Sequence, residues 1–119
     1  MVKILVVEDN PSNMRLVSLI LKKVGYLVLE AYDATKGIEI AKSDDIDLIL
    51  MDMRMPGMDG YQATKELKKD EATKDIPVIA LTAQAMEGDK KEILDAGCDA
   101  YLTKPINYKI LEKEIAKFV

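Results

Sequence analysis

Short apolar runs alternate along the chain with longer segments of helical periodicity. Each run is five or six residues long, which is typical of strands in a parallel sheet, and Glu30 in the second run suggests a less buried edge strand. The runs occupy residues 3–7, 26–31, 47–52, 77–82 and 99–103. A helix is predicted after each of them, so the pattern indicates an α/β protein with five strands and five helices. Strands that alternate with helices are typical of a doubly wound (βα)5 fold with a parallel sheet.

Capping residues mark where the helices begin and end. Asn10 and Pro11 combine a capping side chain with a proline at the first helical position. Gly25 and Gly97 follow apolar helical segments and are predicted stops. Three further helix starts are predicted at capping side chains, namely Asp33, Asp59 and Asn107.

Helical spacing predicts which helix faces are buried. The stripe of the first helix is Met14, Val17, Ile20, Leu21 and Val24, and that of the last is Tyr108, Leu111, Ile115 and Phe118. The fourth helix, about residues 86–96, has an interior glycine and no apolar residue between Met86 and Ile93. We expect this helix to be less stable locally than its neighbours.

Composition narrows the class of protein. The chain has 119 residues, 49% of them hydrophobic, a net charge of −4 and no long basic run. These features predict one globular domain and argue against direct nucleic-acid binding. No apolar run approaches the roughly 20 residues that span a membrane, and no signal peptide is recognisable, so we expect a cytoplasmic protein. The single cysteine, Cys98, is predicted to be a small buried spacer. Histidine is absent, which removes the commonest general base and transition-metal ligand.

Polar residues follow four of the five predicted strands. They are Glu8 and Asp9 after the first, Asp52 at the end of the third, Thr82 at the end of the fourth and Lys104 after the fifth. The carboxyl ends of parallel strands lie along one edge, where open α/β sheets bind ligands. The three acids converge there only if the first and third strands are neighbours, as in the order 2-1-3-4-5.

These residue types suit phosphoryl transfer. Three carboxylates in one crevice repel each other, and oxygen ligands without histidine or cysteine favour Mg²⁺. Lys104 supplies a positive charge and Thr82 a hydroxyl, while Asp52 is a carboxylate nucleophile. Taken singly, each has a structural alternative: a helix-start acid, a strand end or a solvated lysine. Four methionines around Asp52 are interpreted as packing residues and not as soft-metal ligands: Met51, Met53, Met55 and Met58.

Four motifs together resemble the receiver domains of two-component response regulators, the CheY-like superfamily. They are Val6–Asn10, Leu50–Gly60, Ala80–Ala83 and Tyr101–Pro105, and the resemblance covers essentially the whole chain. The segment from Ala83 to Asp89 is most similar to hybrid-kinase receivers and stand-alone cell-cycle receivers. The resemblance implies a flavodoxin-like sheet of order 2-1-3-4-5 and a single receiver domain, 1–119, without an effector domain.

The same resemblance assigns the phosphoacceptor and its metal. Asp52 would accept the phosphoryl group. Glu8, Asp9, Asp52 and the backbone carbonyl of Arg54 would hold Mg²⁺, for which Mn²⁺ can substitute. Glu8 stands where many family members have Asp, a variant that the family tolerates. Arg54 and Gln84 match positions that tune the rate of phosphate loss.

Further residues are assigned to phosphoryl binding and switching. Thr82, Lys104 and the backbone N–H of Ala83 would bind phosphoryl oxygens, and the Lys104–Pro105 peptide bond is expected to be cis. Tyr101 matches the aromatic switch position, which turns inward as Thr82 shifts toward the phosphate. Residues 86–119 would form the output surface.

Partners follow from the same resemblance. A histidine kinase or histidine phosphotransfer protein would donate the phosphoryl group, docking on the first helix and the loop after Lys104, including Met14 and Ile106. We expect a monomer, with dimerisation through the 86–119 face on phosphorylation as the alternative. The domain would be a signalling switch and not a conventional enzyme, acting only on its own phosphorylation.

Two other functions stay open at this stage. A Mg²⁺-dependent phosphatase with an aspartyl nucleophile would carry an Asp two residues after that nucleophile, where this chain has Arg54. A phosphorylation-independent interaction module would keep the fold but would not need the complete set of polar residues.

Overall fold

The computed structural model describes residues 1–83 and 87–119. Strands and helices alternate along the chain as predicted, with bounds β1 (Lys3–Val7), α1 (Pro11–Val24), β2 (Leu27–Ala31), α2 (Ala34–Ser43), β3 (Leu48–Asp52), α3 (Gly60–Lys69), β4 (Val78–Thr82), α4 (Glu87–Ala96), β5 (Ala100–Thr103) and α5 (Tyr108–Ala116). Gln84 and the predicted helix start at Met86 lie outside the described residues. Among the described residues, no helix is long and apolar enough to cross a membrane.

All five strands pair in parallel, and their order in the sheet is β2-β1-β3-β4-β5. The predicted order is therefore confirmed, and β1 and β3 are neighbours. Val7 pairs with Met51 at the end of their ladder. The next residue on each strand is an acid, so the register alone brings Glu8 level with Asp52.

The sheet is covered on both faces. Leu5, Val7 and Met51 point into one hydrophobic core, which α2, α3 and Ile93 of α4 close. Ile4 and Leu50 point into the other core, which α1 and α5 close. Every residue of β3 is buried, as expected for a central parallel strand. The site residue that ends this strand is consequently held by the buried central strand of the sheet.

Helix caps agree with the prediction. The Asn10 side chain accepts a hydrogen bond from the Asn13 N–H, and Gly25 closes α1 in the left-handed region with φ of 107°. The predicted caps of α2, α3 and α5 also accept N–H groups of their first turns, at Asp33, Asp59 and Asn107. These bonds satisfy donors that a helix start leaves free.

The packing predictions are wrong at two helix ends. Val24 and Tyr108 were expected in buried stripes, but both are exposed, Tyr108 to 52%. Helical spacing determines the face on which a residue lies, whereas the extent of the opposing sheet is a tertiary property. Val24 is the last residue of α1 and Tyr108 the first of α5, so neither has an opposing layer above it.

The sparse anchoring predicted for α4 is confirmed over its described side chains, residues 89–96. Ile93 and Ala96 are the buried ones among them, and Leu94 faces solvent. A helix held by so little apolar surface opens at lower cost than the other helices.

Candidate functional site

Three carboxylates meet at the carboxyl edge of the sheet, as the strand-end pattern predicted. Glu8, Asp9 and Asp52 each place an oxygen so that all three lie within 4.8 Å of one another. Glu8 is 1% exposed and Asp52 is 4% exposed, whereas Asp9 is more open to solvent. Two nearly buried acids side by side are costly, because each disfavours the charge on the other.

Lys104 is the cation that partly offsets this repulsion. Its Nζ lies 3.3 Å from Glu8 Oε1, 3.4 Å from Glu8 Oε2 and 3.5 Å from Asp52 Oδ1. The Lys104 backbone N–H donates to the Thr82 carbonyl at 2.7 Å, extending the β4–β5 ladder by one bond. The Lys104–Pro105 peptide bond is cis, as predicted. One lysine against three acids leaves an excess of negative charge at this edge.

The electrostatics of Asp52 reflect this imbalance. The pKa of Asp52 is raised from 3.8 to about 6, chiefly by burial and further by the hydrogen bond and charge of Glu8. The backbone N–H of Arg54, which donates to Oδ1 at 3.1 Å, and the charge of Lys104 lower that pKa again. Asp52 is therefore mostly ionised at neutral pH but in a strained electrostatic environment, which a divalent cation would relieve.

Thr82 and Tyr101 lie where the sequence placed them. Thr82 is the last residue of β4 and is buried, while Ala83 after it is exposed. Tyr101 pairs opposite Ala80 and is half-buried against the α3 side of the sheet. The Lys90 ammonium on α4 lies 5.9 Å from the centre of the Tyr101 ring, a cation–π distance. The roles of these residues in phosphoryl binding and switching stay predictions.

The methionines around Asp52 pack as interpreted. Met51, Met53 and Met55 are buried, and Met58 is half-buried against the same core. Cys98 is also buried; burial raises its pKa to about 11. A thiol with so high a pKa is almost entirely protonated at neutral pH, which fits the spacer interpretation.

Two further residues shape the site, although neither is one of the polar residues at the strand ends. A Cβ on Gly60 would lie 2.5 Å from the Asp52 carbonyl oxygen and 2.7 Å from Met53 Cα, so only glycine lets α3 start against this strand end. Asn13 donates from Nδ2 to Glu8 Oε1 at 2.8 Å. Its place in the first turn of α1 made it look like an ordinary polar surface residue. The one feature of the sequence that indicates this contact is the three-residue spacing between Asn10 and Asn13, which places Asn13 on the helix side that faces the end of β1.

The two residues predicted to dock the partner, Met14 and Ile106, differ in exposure to solvent. Met14 is 0% exposed and packs between α1 and the sheet. That prediction is wrong, because a residue in the inward stripe of α1 leaves no surface for a partner. Ile106 is half-buried and lines a groove of about 120 Å³ between α1 and the loop after β5, together with Leu16, Ile20 and Pro105. Leu16, beside the groove, is 53% exposed.

The donor set fits a hard divalent cation. All side-chain ligand atoms in the acidic cluster are carboxylate oxygens, two of the acids are buried, and one lysine cannot neutralise three negative charges. Oxygen-only sites with several acids are typical of Mg²⁺. This fold with this acidic cluster is typical of domains that accept a phosphoryl group on an aspartate and change conformation in response.

Comparison with protein families matches residues 4–116 to the response regulator receiver domain. Among curated relatives, the polar-differentiation response regulator DivK of Brucella ovis is 41% identical over 104 residues, which are 87% of this chain and 85% of DivK. The sensor protein GacS of Pseudomonas syringae is 39% identical over 119 residues, 98% of this chain. The chain spans 13% of the length of GacS.

The solved structures similar to this chain also include response regulator and receiver proteins. The chemotaxis protein CheY4 of Vibrio cholerae superposes with a TM-score of 0.95 at 30% identity, covering 100% of this chain and 99% of CheY4. The receiver domain of the sensor histidine kinase PA1611 of Pseudomonas aeruginosa has a TM-score of 0.91 at 39% identity, covering 98% of this chain and 95% of that domain. A magnesium ion is coordinated in the active-site cleft of that domain.

The chain belongs to the response regulator receiver domain family. It is a receiver of two-component signalling, a class phosphorylated on an aspartate, and acts as a signalling switch and not as a conventional enzyme. The resemblance drawn from the four sequence motifs is thereby confirmed.

Proposed function

We propose that Asp52 is the phosphoacceptor of this receiver. The observation that carries the proposal is a nearly buried carboxylate at the end of the central strand, flanked by two acids and one lysine at one sheet edge. An Asp52 oxygen attacks the phosphorus of a phosphohistidine on the donor. The new P–O bond forms as the P–N bond breaks, and the departing imidazole nitrogen keeps the electron pair and takes up a proton.

Mg²⁺, or Mn²⁺ in its place, would be held by Glu8, Asp9, Asp52 and the backbone carbonyl of Arg54. The three clustered acids and the magnesium ion in the similar PA1611 domain support this assignment. When bound, the cation supplies positive charge that offsets the acids and the incoming phosphoryl oxygens. The acids themselves orient the site: Glu8 follows β1 and Asp52 ends the neighbouring strand β3, so the pairing of the two strands holds the acids side by side.

Lys104, Thr82 and the Ala83 N–H bind the phosphoryl oxygens. Lys104 already contacts Asp52 Oδ1, the residue to be modified. Thr82 ends β4, the strand that pairs with β3 on the other side from β1, and Ala83 follows it. Donors that face developing negative charge in a partly dry site stabilise transfer more than they would in water.

Phosphorylation changes the balance between two conformations of the output surface, residues 86–119. Thr82 and Tyr101 are the switch pair, and the Tyr101 ring lies beside α4 through its contact with Lys90. Because α4 is sparsely anchored, a small change at Thr82 is able to shift the balance between the two conformations of α4. That residues 1–119 form a single receiver domain stays a prediction.

A histidine kinase or histidine phosphotransfer protein donates the phosphoryl group. We assign its docking site to the groove lined by Leu16, Ile20 and Ile106, which opens beside Glu8 and Lys104. This assignment replaces the buried Met14 by the exposed Leu16 on the same helix.

The central experiment uses acetyl phosphate and Mg²⁺. Intact-mass spectrometry is expected to show one added phosphoryl group on the wild-type chain and none on Asp52→Asn. Asp45→Asn, the same change at an exposed loop acid, is the matched control and should be modified like the wild type. Equal modification of Asp52→Asn would show that another residue accepts the group.

A further inference from the structure

Asn13 is a polar residue of α1 that belongs to none of the strand-end motifs yet touches the site. We propose that Asn13 is a positioning residue, whose side-chain amide holds the Glu8 carboxylate in the orientation that binds the cation. The inference rests on the proposed function, because it deepens the metal site of that function.

The contact is short and directed. Asn13 Nδ2 lies 2.8 Å from Glu8 Oε1, whereas the Lys104 ammonium is 3.3 Å and 3.4 Å from the two Glu8 oxygens. A glutamate has one more rotatable bond than an aspartate, so its carboxylate needs an additional contact to stay in one place. Asn13 supplies that contact from the side of the carboxylate that faces α1.

Asn13 is itself held rigidly. Its backbone N–H donates to the Asn10 side chain at 3.0 Å, and the next residue, Met14, is completely buried. The Met14 N–H donates to the Asn10 carbonyl at 2.9 Å. The first turn of α1 is thus fixed at both the cap and the core, so the Asn13 amide points to Glu8 without a large entropy cost.

The Asn13 amide is able to keep its contact with Glu8 throughout the reaction, whereas Lys104 is not. Lys104 contacts both Glu8 and Asp52, and under the proposed function it also serves the phosphoryl group. When Lys104 moves toward that group, Glu8 loses a partner. Asn13 is neutral and its side-chain amide donates to Glu8, so it keeps Glu8 in place in both states.

The test measures Mg²⁺ affinity directly, by isothermal titration with Mg²⁺ alone. Asn13→Ala is expected to weaken Mg²⁺ binding about tenfold, the low end for removing a partner of a metal ligand, since water can partly replace the amide. Asn13→Leu should do the same, and Asn13→Gln, which keeps an amide donor, should recover part of the affinity. Ser12→Ala, an exposed neighbour in the same helical turn, should bind like the wild type.

A second readout separates positioning from a loss of fold. The unfolding midpoint of Asn13→Ala without Mg²⁺ should change little, because Asn13 is exposed and alanine favours helix. In acetyl phosphate reactions, the Mg²⁺ concentration for half-maximal rate should rise about tenfold, while the rate at saturating Mg²⁺ stays within about twofold.

Two outcomes would overturn the positioning role. One is an unchanged Mg²⁺ affinity in both Asn13→Ala and Asn13→Leu. The other is a loss that Ser12→Ala shares, or that Asn13→Gln does not relieve. Failure of the proposed function looks different, since the wild-type chain itself would then gain no phosphoryl group at Asp52 at any Mg²⁺ concentration.

Discussion

Replacing Asp52 by Asn should stabilise the metal-free protein at neutral pH. Asp52 ionises with a pKa of about 6 in the folded chain instead of 3.8, so the folded state binds the proton more tightly than the unfolded state. The resulting destabilisation is absent below pH 3.8, grows as the pH rises from 3.8 to 6 and is complete above 6. Asn removes the charge and still offers an oxygen to the Arg54 N–H.

The magnitude follows from the two pKa values. Each pH unit between them is worth about 1.4 kcal/mol, which gives an upper limit of about 3 kcal/mol. Water in the open part of the site reduces the gain, so we expect about 1–3 kcal/mol. For a domain of this size, that gain corresponds to a rise in Tm of roughly 4–12 °C.

The assay is thermal unfolding followed by circular dichroism in the presence of a chelator, at pH 7 and at pH 4. The gain should be present at pH 7 and nearly vanish at pH 4, where wild-type Asp52 is protonated. Added Mg²⁺ should raise the Tm of the wild type more than that of Asp52→Asn. Asp45→Asn should shift Tm little at either pH. A variant that is no more stable than the wild type at pH 7 would refute the electrostatic reasoning.

Three further substitutions test other parts of the site. Lys104→Met should destabilise the metal-free protein by about 1–3 kcal/mol, because Asp52 and its neighbouring acid lose their shared cation, and Mg²⁺ should restore part of the loss in denaturant unfolding. Gly60→Ala should cost roughly 2–4 kcal/mol in the same assay, since its Cβ would clash with backbone. Leu16→Ala should slow phosphotransfer from a histidine phosphotransfer protein but not from acetyl phosphate, whereas Leu19→Ala, equally exposed outside the groove, should affect neither.

Matched variants make the two stability predictions specific. Lys42→Met breaks an exposed ion pair with Asp70 and should cost less than about 1 kcal/mol. Gly57→Ala has no atom within 4 Å of the added Cβ, but φ is 76°, so it should cost about 1–2 kcal/mol through backbone strain alone. Losses in Lys104→Met or Gly60→Ala no larger than these would contradict the roles given to Lys104 and Gly60.

The family was identifiable from the sequence because its signals are local. A capping residue acts on the next turn of helix, and a run such as Leu48–Met51 is typical of a strand buried on both faces of a sheet. The strand-end positions of Asp52 and Lys104 follow from where those runs stop. Parallel pairing then places all such ends at one edge, whatever the side chains are.

Tertiary structure alone decided which of these residues touch and which face solvent. The adjacency of Glu8 and Asp52 depends on β1 pairing with β3, a contact between segments more than forty residues apart. The exposure of Val24 and Tyr108 depends on how far the sheet extends beneath each helix, which periodicity does not encode. Asn13 acquired its role only because α1 packs with its first turn over the end of β1. Local preferences therefore determined the elements and the chemical groups, and non-local packing determined how those groups meet.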